Sequence, residues 1–405
     1  MRKNIISYLI LSLLSIGAVL AKSDKIVNLK SSKTEIKLVS NKQTSLLIEN
    51  TIAAFMLSEK ITKEGQFVSI NIPKYTIPTA RIGFPELPVL NELIEIPHDA
   101  EVIVKVVSFD EEIVDINNHN FNDRIVPVQA SLSKSEDAEF AVFQYNKAFY
   151  LKNEYSNADI ATVEVLGKMR SVRFGRLTIS PFSYNPVTNI LKIRNNIKIE
   201  IEFVNADFEK TDMYKNKHYS PVFDGMFKKF LNYNSNKGKD IITTYPIKYV
   251  IVSDPMFESV LQAFIDWKTK KGFTVIEAYT DNPLVGSTTS SIKSYLEGLY
   301  NNATVNDPAP TYLLIVGDVA QVPTFTGTSS SHVTDLYYCE YDGSGDFYPE
   351  IYYGRFSATN NEQLIPQIDK TLEYEQYQMP DPSYLNEVVM IAGVDAGMAP
   401  TYGNG

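Results

Sequence analysis

Two acid-bearing segments in the second half of the chain have the residue types of a cation site. Asp318 comes shortly after a strand-length apolar run, Tyr312–Val316. The loop further along carries three more acids among glycines, Asp342, Asp346 and Glu350. Carboxylate oxygens without Cys or His ligand pairs are the donors that a hard cation such as calcium prefers. The sequence therefore predicts a calcium site here, and a solvated acidic turn is the alternative interpretation of the loop.

A Cys-His pair, Cys339 and His332, is the obvious candidate for nucleophilic catalysis. Cys339 lies between Tyr338 and Glu340 in an alternating, strand-like stretch, and a neighbouring carboxylate raises a thiol pKa where catalysis needs it lowered. We therefore reject the pair. The remaining histidines lie outside the predicted α/β half, and none of the common hydrolase or phosphate-loop motifs occurs. On residue types alone, the 405 residues contain no complete catalytic apparatus.

The elements that must position the acids alternate between strand and helix periodicity over residues 246–405. Such alternation predicts an α/β domain with a mostly parallel sheet, whose functional groups lie at the carboxyl ends of the strands. The predicted strands are Tyr249–Val252, Phe273–Ala278, Tyr312–Val316, Glu350–Tyr353 and Val388–Ala392, and the predicted helices are Phe257–Lys271, Thr288–Tyr300 and Glu362–Tyr377.

Residues 22–206 alternate polar and apolar side chains with a period of two and show no sustained helical pattern. We predict one all-β domain there, with a hairpin pair around residues 169–182. Residues 207–245 are polar and rich in Lys, Asn and Tyr, which predicts an exposed linker. Its lysines make it a candidate processing site, and an ordinary flexible tether is the alternative.

Composition agrees with a globular protein of two to three domains, since 44% of the residues are hydrophobic and 21% are charged. The 25 Tyr and 21 Phe favour a large β content. A formal net charge of −10, without a basic stripe, argues against a nucleic-acid partner and favours cations.

Residues 1–21 have a basic start, an apolar run and a small-residue cleavage site at Ala21. This pattern predicts a signal peptide and an exported protein, and an uncleaved membrane anchor is the alternative. No other segment approaches the length of a membrane span. The single Cys excludes an internal disulfide.

Several segments in succession resemble gingipain-type cysteine endopeptidases. The motifs GFPELPVLNELIEIP and MRSVRFGRLTISPFSYNP resemble the propeptide of that family. The first half of the catalytic domain is matched by the segments YVIVSDPMFESVLQAFIDWKTKKGFTV, TYLLIVGD, DFYPEIYYGRFSATNNEQLIPQIDKTLEYE and VVMIAG. The resemblance covers nearly the whole chain after the signal peptide.

The resemblance implies a caspase-like α/β domain with structural calcium and a Cys nucleophile assisted by a His. It places the calcium ligands at Asp346 and Glu350 by side chain, at Tyr348 by backbone carbonyl, and at Asp318 as a fourth. It also implies that an acid following the VVMIAG segment, Asp395, supports the catalytic His, although the family carries Glu there.

In that family the Gly-His-Gly loop and the nucleophilic Cys lie further on than Gly405. We therefore expect a truncated α/β domain, that is, a fragment of a protease zymogen that does not itself hydrolyse peptides. Its substrates would be proteins or peptides, and its location would be secreted or on the surface of a Gram-negative bacterium. The propeptide would act as an intramolecular inhibitor, with three arginines as candidates for a basic substrate mimic, Arg170, Arg173 and Arg176. Surface arginines on a strand are the alternative.

Two other functions remain open from the sequence. One is a calcium-stabilised binding or secretion module without catalysis, and the other is a transpeptidase of the secretion route with the same fold. Cleavage specificity is not predicted.

Overall fold

A computed structural model of the 405-residue chain describes residues 24–75, 77–132, 140–235, 247–304, 306–328, 332–343 and 345–389. The predicted signal peptide and Asp395 lie outside the described residues. Only two residues of the predicted last strand are described, Val388 and Val389, and both are exposed and outside any strand.

The first half of the chain is built from strands, which confirms the predicted β prodomain. Its described pairings of named strands are antiparallel and form three sheets, ordered β1-β4-β5, β6-β7-β10-β9 and β11-β12-β3-β2, with β8 also paired to β12. One short helix, α1 (Lys147–Tyr150), and one 3-10 turn, Ile116–His119, interrupt them. The strands are β1 (Lys25–Asn28), β2 (Glu35–Asn41), β3 (Ser45–Thr51), β4 (Ala54–Thr62), β5 (Gly65–Asn71), β6 (Ile77–Pro78), β7 (Pro88–Glu95), β8 (Glu101–Asp115), β9 (Ala161–Met169), β10 (Val172–Ile179), β11 (Phe182–Asn185) and β12 (Ile190–Val204).

The long strand β12 shows why this half folds as a sheet. Every second side chain is buried along its 15 residues, as the period-two pattern predicts. Ile197, Ile199 and Ile201 are fully buried in one core cluster that also takes residues from β3, β4 and β7. Burying each such side chain contributes about 1.5–3 kcal/mol relative to exposure. A one-residue slip of β12 would reverse its faces, so the core fixes the register.

The linker predicted from residue 207 differs from the structure. Its first part forms two helices, α2 (Phe208–Lys217) and α3 (Pro221–Phe227). Phe223, Phe227 and Phe230 are buried against the β9–β10 hairpin, and burying three phenylalanines outweighs the polar composition around them. Residues 236–246, which remain the predicted processing region, lie outside the described residues.

The second half is the predicted α/β domain. Its central sheet has four parallel strands in the order β14-β13-β15-β18, and β16 pairs with β17 in a separate short ribbon. The elements are β13 (Lys248–Ser253), α4 (Glu258–Lys270), β14 (Thr274–Tyr279), α5 (Thr289–Asn301), β15 (Tyr312–Val316), β16 (Phe325–Thr326), β17 (Val333–Thr334), β18 (Tyr352–Phe356) and α6 (Asn361–Glu375), with 3-10 turns at Pro255–Phe257, Leu336–Tyr338 and Pro382–Asn386.

Helices cover both faces of this sheet. On one face α5 packs Ile292 and Leu296 against β13 and β15. On the other face α4 and α6 pack together, with Phe264 and Leu364 in one buried cluster. Alternate residues of the buried strands therefore serve two cores, which explains why β15 reads as a continuous apolar run.

A cluster of charged side chains connects α4 and α6, the two helices on the second face. Glu375 at the end of α6 accepts hydrogen bonds from Trp267 Nε1 (2.8 Å), Lys268 Nζ (2.6 Å) and Lys271 Nζ (3.0 Å) of α4 and its cap. Lys268 is buried, so its ammonium depends on this carboxylate.

Among the described residues, no helix is both long and apolar enough to cross a membrane.

Candidate functional site

The carboxyl edge of the parallel sheet, where its strands end, is the predicted position of the functional groups. β15 ends at Val316, and Gly317 then turns with a φ of 127°. The backbone N–H of Asp318 donates to Ala358 O (2.9 Å), and its Oδ1 accepts the N–H of Val319 (2.8 Å). Asp318 therefore organises the turn at this edge.

Arg355 holds the loops of the same edge together. Its guanidinium makes a bidentate pair with Asp335, Nε to Oδ2 at 2.8 Å and Nη2 to Oδ1 at 2.6 Å. Nη1 also donates to the carbonyls of Gly317 (2.8 Å) and Val322 (2.9 Å). One planar cation thus joins β18 to the segment after β15, a geometry that Lys could not reproduce.

The acidic loop forms a compact carboxylate cluster at the other edge of the sheet. Asp342, Asp346 and Glu350 place one carboxylate oxygen each within 4.8 Å of one another. The predicted strand Glu350–Tyr353 in fact begins at Tyr352, which pairs with Tyr312, the first residue of β15. Glu350 therefore precedes β18 at the amino edge, and the prediction that this group lies at the carboxyl edge is wrong.

Glu350 is the buried member of the cluster. It has no exposed surface, and burial, reinforced by Asp342 and Asp346, raises its pKa to about 9. Its Oε2 accepts the N–H of Tyr341 at 3.2 Å, while its Oε1 and Asp346 Oδ2 are buried without a hydrogen-bond partner. Unsatisfied buried carboxylate oxygens are costly, and a divalent cation between them would remove that cost. The donor set is all oxygen, which suits calcium.

The structure brings together only part of the predicted ligand set. Asp346 and Glu350 meet as predicted, and Tyr348 lies between them, its N–H donating to Asp346 Oδ1 (3.1 Å). Asp318 does not join them, because the five residues of β15 separate the two edges of the sheet. The third carboxylate that lies beside them is that of Asp342. The spacing of four residues from Asp342 to Asp346 and again to Glu350 is the sequence signal for the complete trio.

Cys339 has the environment of a structural thiol. It is fully buried, and burial followed by the nearby Glu350 raises its pKa well above the usual range. A neutral, inaccessible thiol cannot attack a substrate carbonyl. The rejection of this residue as a nucleophile is therefore supported by its surroundings, although it lies in a 3-10 turn cap and not in the strand-like stretch assumed from the sequence.

The three candidate arginines have three different environments. Arg176 pairs with Glu164 on its own hairpin and is exposed. Arg173 donates to the carbonyls of Pro97 (3.0 Å) and Ala100 (2.9 Å) within the β half. Arg170 is buried against the α/β half, but at the amino edge of the sheet. None of them lies at the carboxyl edge, where open parallel sheets bind their ligands, so their positions give no support to the substrate-mimic hypothesis.

Two family models match the chain in succession. The C25 propeptide family matches residues 30–242, and peptidase family C25 matches residues 242–403. The boundary between the matches lies within residues 236–246, after the two helices that follow the β domain.

Relatives with curated descriptions come from Porphyromonas gingivalis. Lys-gingipain HG66 is 36% identical over 347 residues, which are 86% of this chain and 20% of that protein. Gingipain R1 is 25% identical over 370 residues, 91% of this chain and 35% of that protein. The chain thus spans about a fifth of the length of the Lys-gingipains that it matches.

Two solved structures are similar to parts of the chain. One, described as structural insight into zymogenic latency of gingipain K from Porphyromonas gingivalis, has 35% identity and a TM-score of 0.44, covering 45% of this chain and all of that one. The other, a complex of Porphyromonas gingivalis RgpB pro- and mature domains, has 20% identity and a TM-score of 0.40, covering 49% of this chain and 98% of that one.

Proposed function

The chain belongs to the C25 peptidase family, of which it carries the propeptide and a peptidase segment, and from that membership we propose that the whole protein is the zymogen of an exported cysteine endopeptidase. The observation that carries the proposal is the succession of the two family matches over residues 30–403. The α/β half with its parallel sheet supplies a suitable scaffold.

The proposed reaction is acyl transfer. A His takes the proton of the nucleophilic Cys, and the thiolate attacks the peptide carbonyl while backbone amides hold the oxyanion. The C–N bond then breaks, the amine leaves with the proton from the His, and water hydrolyses the thioester to release the acid. The buried state of Cys339 supports a nucleophile elsewhere in the whole protein. Asp395 remains the proposed supporting acid for the His, and it lies outside the described residues.

We also propose that the acid cluster holds a structural calcium ion. Asp342, Asp346 and Glu350 would bind it by side chain, with the carbonyl of Tyr348 as a further donor. The two buried oxygens without partners support this proposal. When bound, the ion would supply two positive charges against the three carboxylates of the cluster. The loop before β18 then needs no proton to stay folded, and the strand starts from a fixed position.

The β half is proposed as an intramolecular inhibitor of the peptidase. Its hairpin β9–β10 and the helix α3 lie directly against the α/β half, where Phe223 stacks on Tyr352 at 4.3 Å. Residues 236–246, between these contacts and β13, are the proposed site of processing. Export through residues 1–21 remains part of the proposal.

The whole protein, expressed from its complete reading frame, tests the function. We expect hydrolysis of peptide amides, assayed first after Lys because identity to the Lys-gingipains exceeds that to gingipain R1. Thiol alkylation should abolish the activity. The matched control is Cys339→Ala, which should keep both the activity and its sensitivity to alkylation, because the buried thiol takes no part.

Two results would contradict the proposal. Activity that survives alkylation would exclude a cysteine peptidase. Products formed only when an amine acceptor is added, without hydrolysis, would favour the transpeptidase alternative. For calcium, chelator should lower the thermal midpoint of the α/β half, and Asp346→Ala with Glu350→Ala should abolish that difference. A midpoint unaffected by chelator in the unmodified protein would remove the calcium proposal.

A further inference from the structure

The tip of the β9–β10 hairpin carries a side chain that the turn itself does not require. Arg170 and Ser171 form the two-residue turn between Met169 and Val172, with φ values of 52° and 62°. Such turns favour Asn and Gly, because other residues are strained at positive φ. An arginine at this position keeps the strain, so its side chain must gain compensating contacts.

Those contacts are four backbone carbonyls in a closed socket. Arg170 Nη1 donates to Pro310 O and to Glu350 O (2.9 Å), and Nη2 donates to Ala309 O (2.9 Å). Nε donates to His218 O at 2.8 Å. Arginine suits this arrangement because its planar fork presents several donors at fixed angles, whereas lysine has a single nitrogen.

The guanidinium is enclosed as well as hydrogen bonded. Only 2% of Arg170 is exposed, and its Cζ lies 5.3 Å from the ring centre of Phe223 and 5.5 Å from that of Tyr300. Burial lowers its pKa to about 10, so the side chain remains charged at neutral pH. The carbonyl dipoles and aromatic faces therefore carry a full buried charge, and three of the four carbonyls belong to the α/β half.

The socket is distant from the edge of the sheet where a substrate is expected. Pro310 lies two residues before the start of β15 with Ala309 ahead of it, and Glu350 lies two residues before the start of β18. The hairpin thus docks at the amino edge, whereas ligands of open parallel sheets bind at the carboxyl edge.

The interface around Arg170 has a buried centre and a partly exposed periphery. Aromatic contacts flank Arg170, including Phe174 against Tyr348 at 4.8 Å. Outside them lies the partly exposed ion pair of Lys168 with Asp342 (2.5 Å). A buried arginine surrounded by aromatic side chains is a typical interface hot spot, whereas an exposed ion pair contributes little to the binding free energy.

We propose that Arg170 is the docking residue by which the β half binds the α/β half, at a site separate from the substrate cleft, so that the two halves stay together after the chain is cut between residues 235 and 247. The binding partner of the socket is this chain's own hairpin, and the chemistry that it recognises is a guanidinium. The inference does not depend on peptidase activity.

The test uses the full 405-residue chain with a recognition sequence for a specific protease placed within residues 236–246. After cutting, the halves of the parent chain should co-elute in size-exclusion chromatography. A dilution series then gives their dissociation constant. Arg170→Ala should weaken the association about 100-fold, because hot-spot arginines cost about 2–4 kcal/mol on truncation and 1.4 kcal/mol is tenfold. Arg170→Lys keeps the charge but not the fork and should weaken it about tenfold.

Two further variants separate docking from folding. Arg170→Gly removes the side chain while relieving the positive φ, so the hairpin is retained and the association should still be lost. Arg176→Ala, on the same hairpin but paired with Glu164, should bind like the parent. Parent halves that separate on cutting, or an Arg170→Gly chain that stays associated within threefold of the parent, would overturn the proposal.

Discussion

Adding calcium to the metal-free chain at pH 7 should release about one proton from the acid cluster. The perturbation acts on Glu350, whose side chain is fully buried among Asp342 and Asp346. Burial is the first cause of its raised pKa, and the two neighbouring carboxylates add to it. A calcium ion requires these oxygens to be free of protons, so ion and proton compete for the same site.

The size of the effect follows from the pKa of about 9. Two pH units below that value, about 99% of the metal-free chains carry the proton. Calcium affinity should therefore rise about tenfold per pH unit and about 100-fold between pH 6 and pH 8. Without calcium the sign for stability is the opposite. A raised folded-state pKa contributes stability that is complete below about 4.5 and is lost as pH rises through about 9.

Isothermal titration calorimetry measures the proton directly. Titrations at pH 7 in two buffers with different ionisation enthalpies give the number of protons released. The control is Glu350→Gln, which imitates the protonated carboxyl and keeps an acceptor for the N–H of Tyr341. It should bind calcium more weakly and release no proton. Thermal midpoints from pH 5 to pH 9 should fall without calcium and change little with it.

Calcium binding without release of a proton would refute the competition between calcium and a proton at Glu350. Release of the same proton by Glu350→Gln would show that the proton belongs to another group. A calcium affinity that is constant between pH 6 and pH 8 would show that no proton competes with the ion in this range.

Three further perturbations act on other parts of the chain. Burial, followed by the nearby charge of Arg170, lowers the pKa of His218 from 6.5 to about 4. Between these two pH values the imidazole is protonated in the unfolded chain and neutral in the folded chain. Stability that is complete above about pH 6.5 should fall by about 3 kcal/mol as pH drops through about 4, and His218→Gln should flatten that slope in denaturant titrations. Glu375→Gln removes the carboxylate from buried Lys268 and should lower the free energy of unfolding by about 2–4 kcal/mol, whereas Asp369→Asn on the exposed face of the same helix should not. Gly317→Ala would place a Cβ 2.6 Å from Gln321 Cβ at a φ of 127°, and should lower the thermal midpoint of the α/β half by an amount equivalent to about 2 kcal/mol or more.

Periodicity was sufficient for the order of elements from β13 to α6, apart from the short ribbon of β16 and β17. The strand Tyr312–Val316 has the predicted bounds, and the helix predicted at Thr288–Tyr300 is shifted by one residue. Both carry strong local signals, namely a continuous apolar run and a helical stripe that begins at the capping Thr288. The start of β18 is two residues later than predicted, which moves Glu350 out of the strand and into the loop that precedes it.

The helices α2 and α3 show a different limit. Their sequence is polar enough to read as a linker, and what folds them is the aromatic cluster of Phe223, Phe227 and Phe230 against a hairpin about 50 residues earlier. Local composition cannot report such a long-range contact. The same holds for Arg170, which reads as a surface residue on a strand and is among the most buried side chains described. For the site, the sequence identified the acidic loop, but the separation of Asp318 from it depends on sheet geometry alone.

The position of the Arg170 socket explains how a buried guanidinium, held by carbonyls and not by a carboxylate, can also leave its socket. The hydrogen-bond ladder of β15 begins with Thr311 N to Lys248 O (3.0 Å), so the carbonyls of Ala309 and Pro310 precede it. They belong to no strand pair, and the fold of the α/β half does not require a protein donor for them. When the hairpin leaves, water can take over these carbonyls, and the guanidinium regains its own hydration. The polar groups are then hydrogen bonded in both the docked and the separated state, so only a modest difference in free energy favours docking. A contact of that kind can hold the β half in place and still open without unfolding either half.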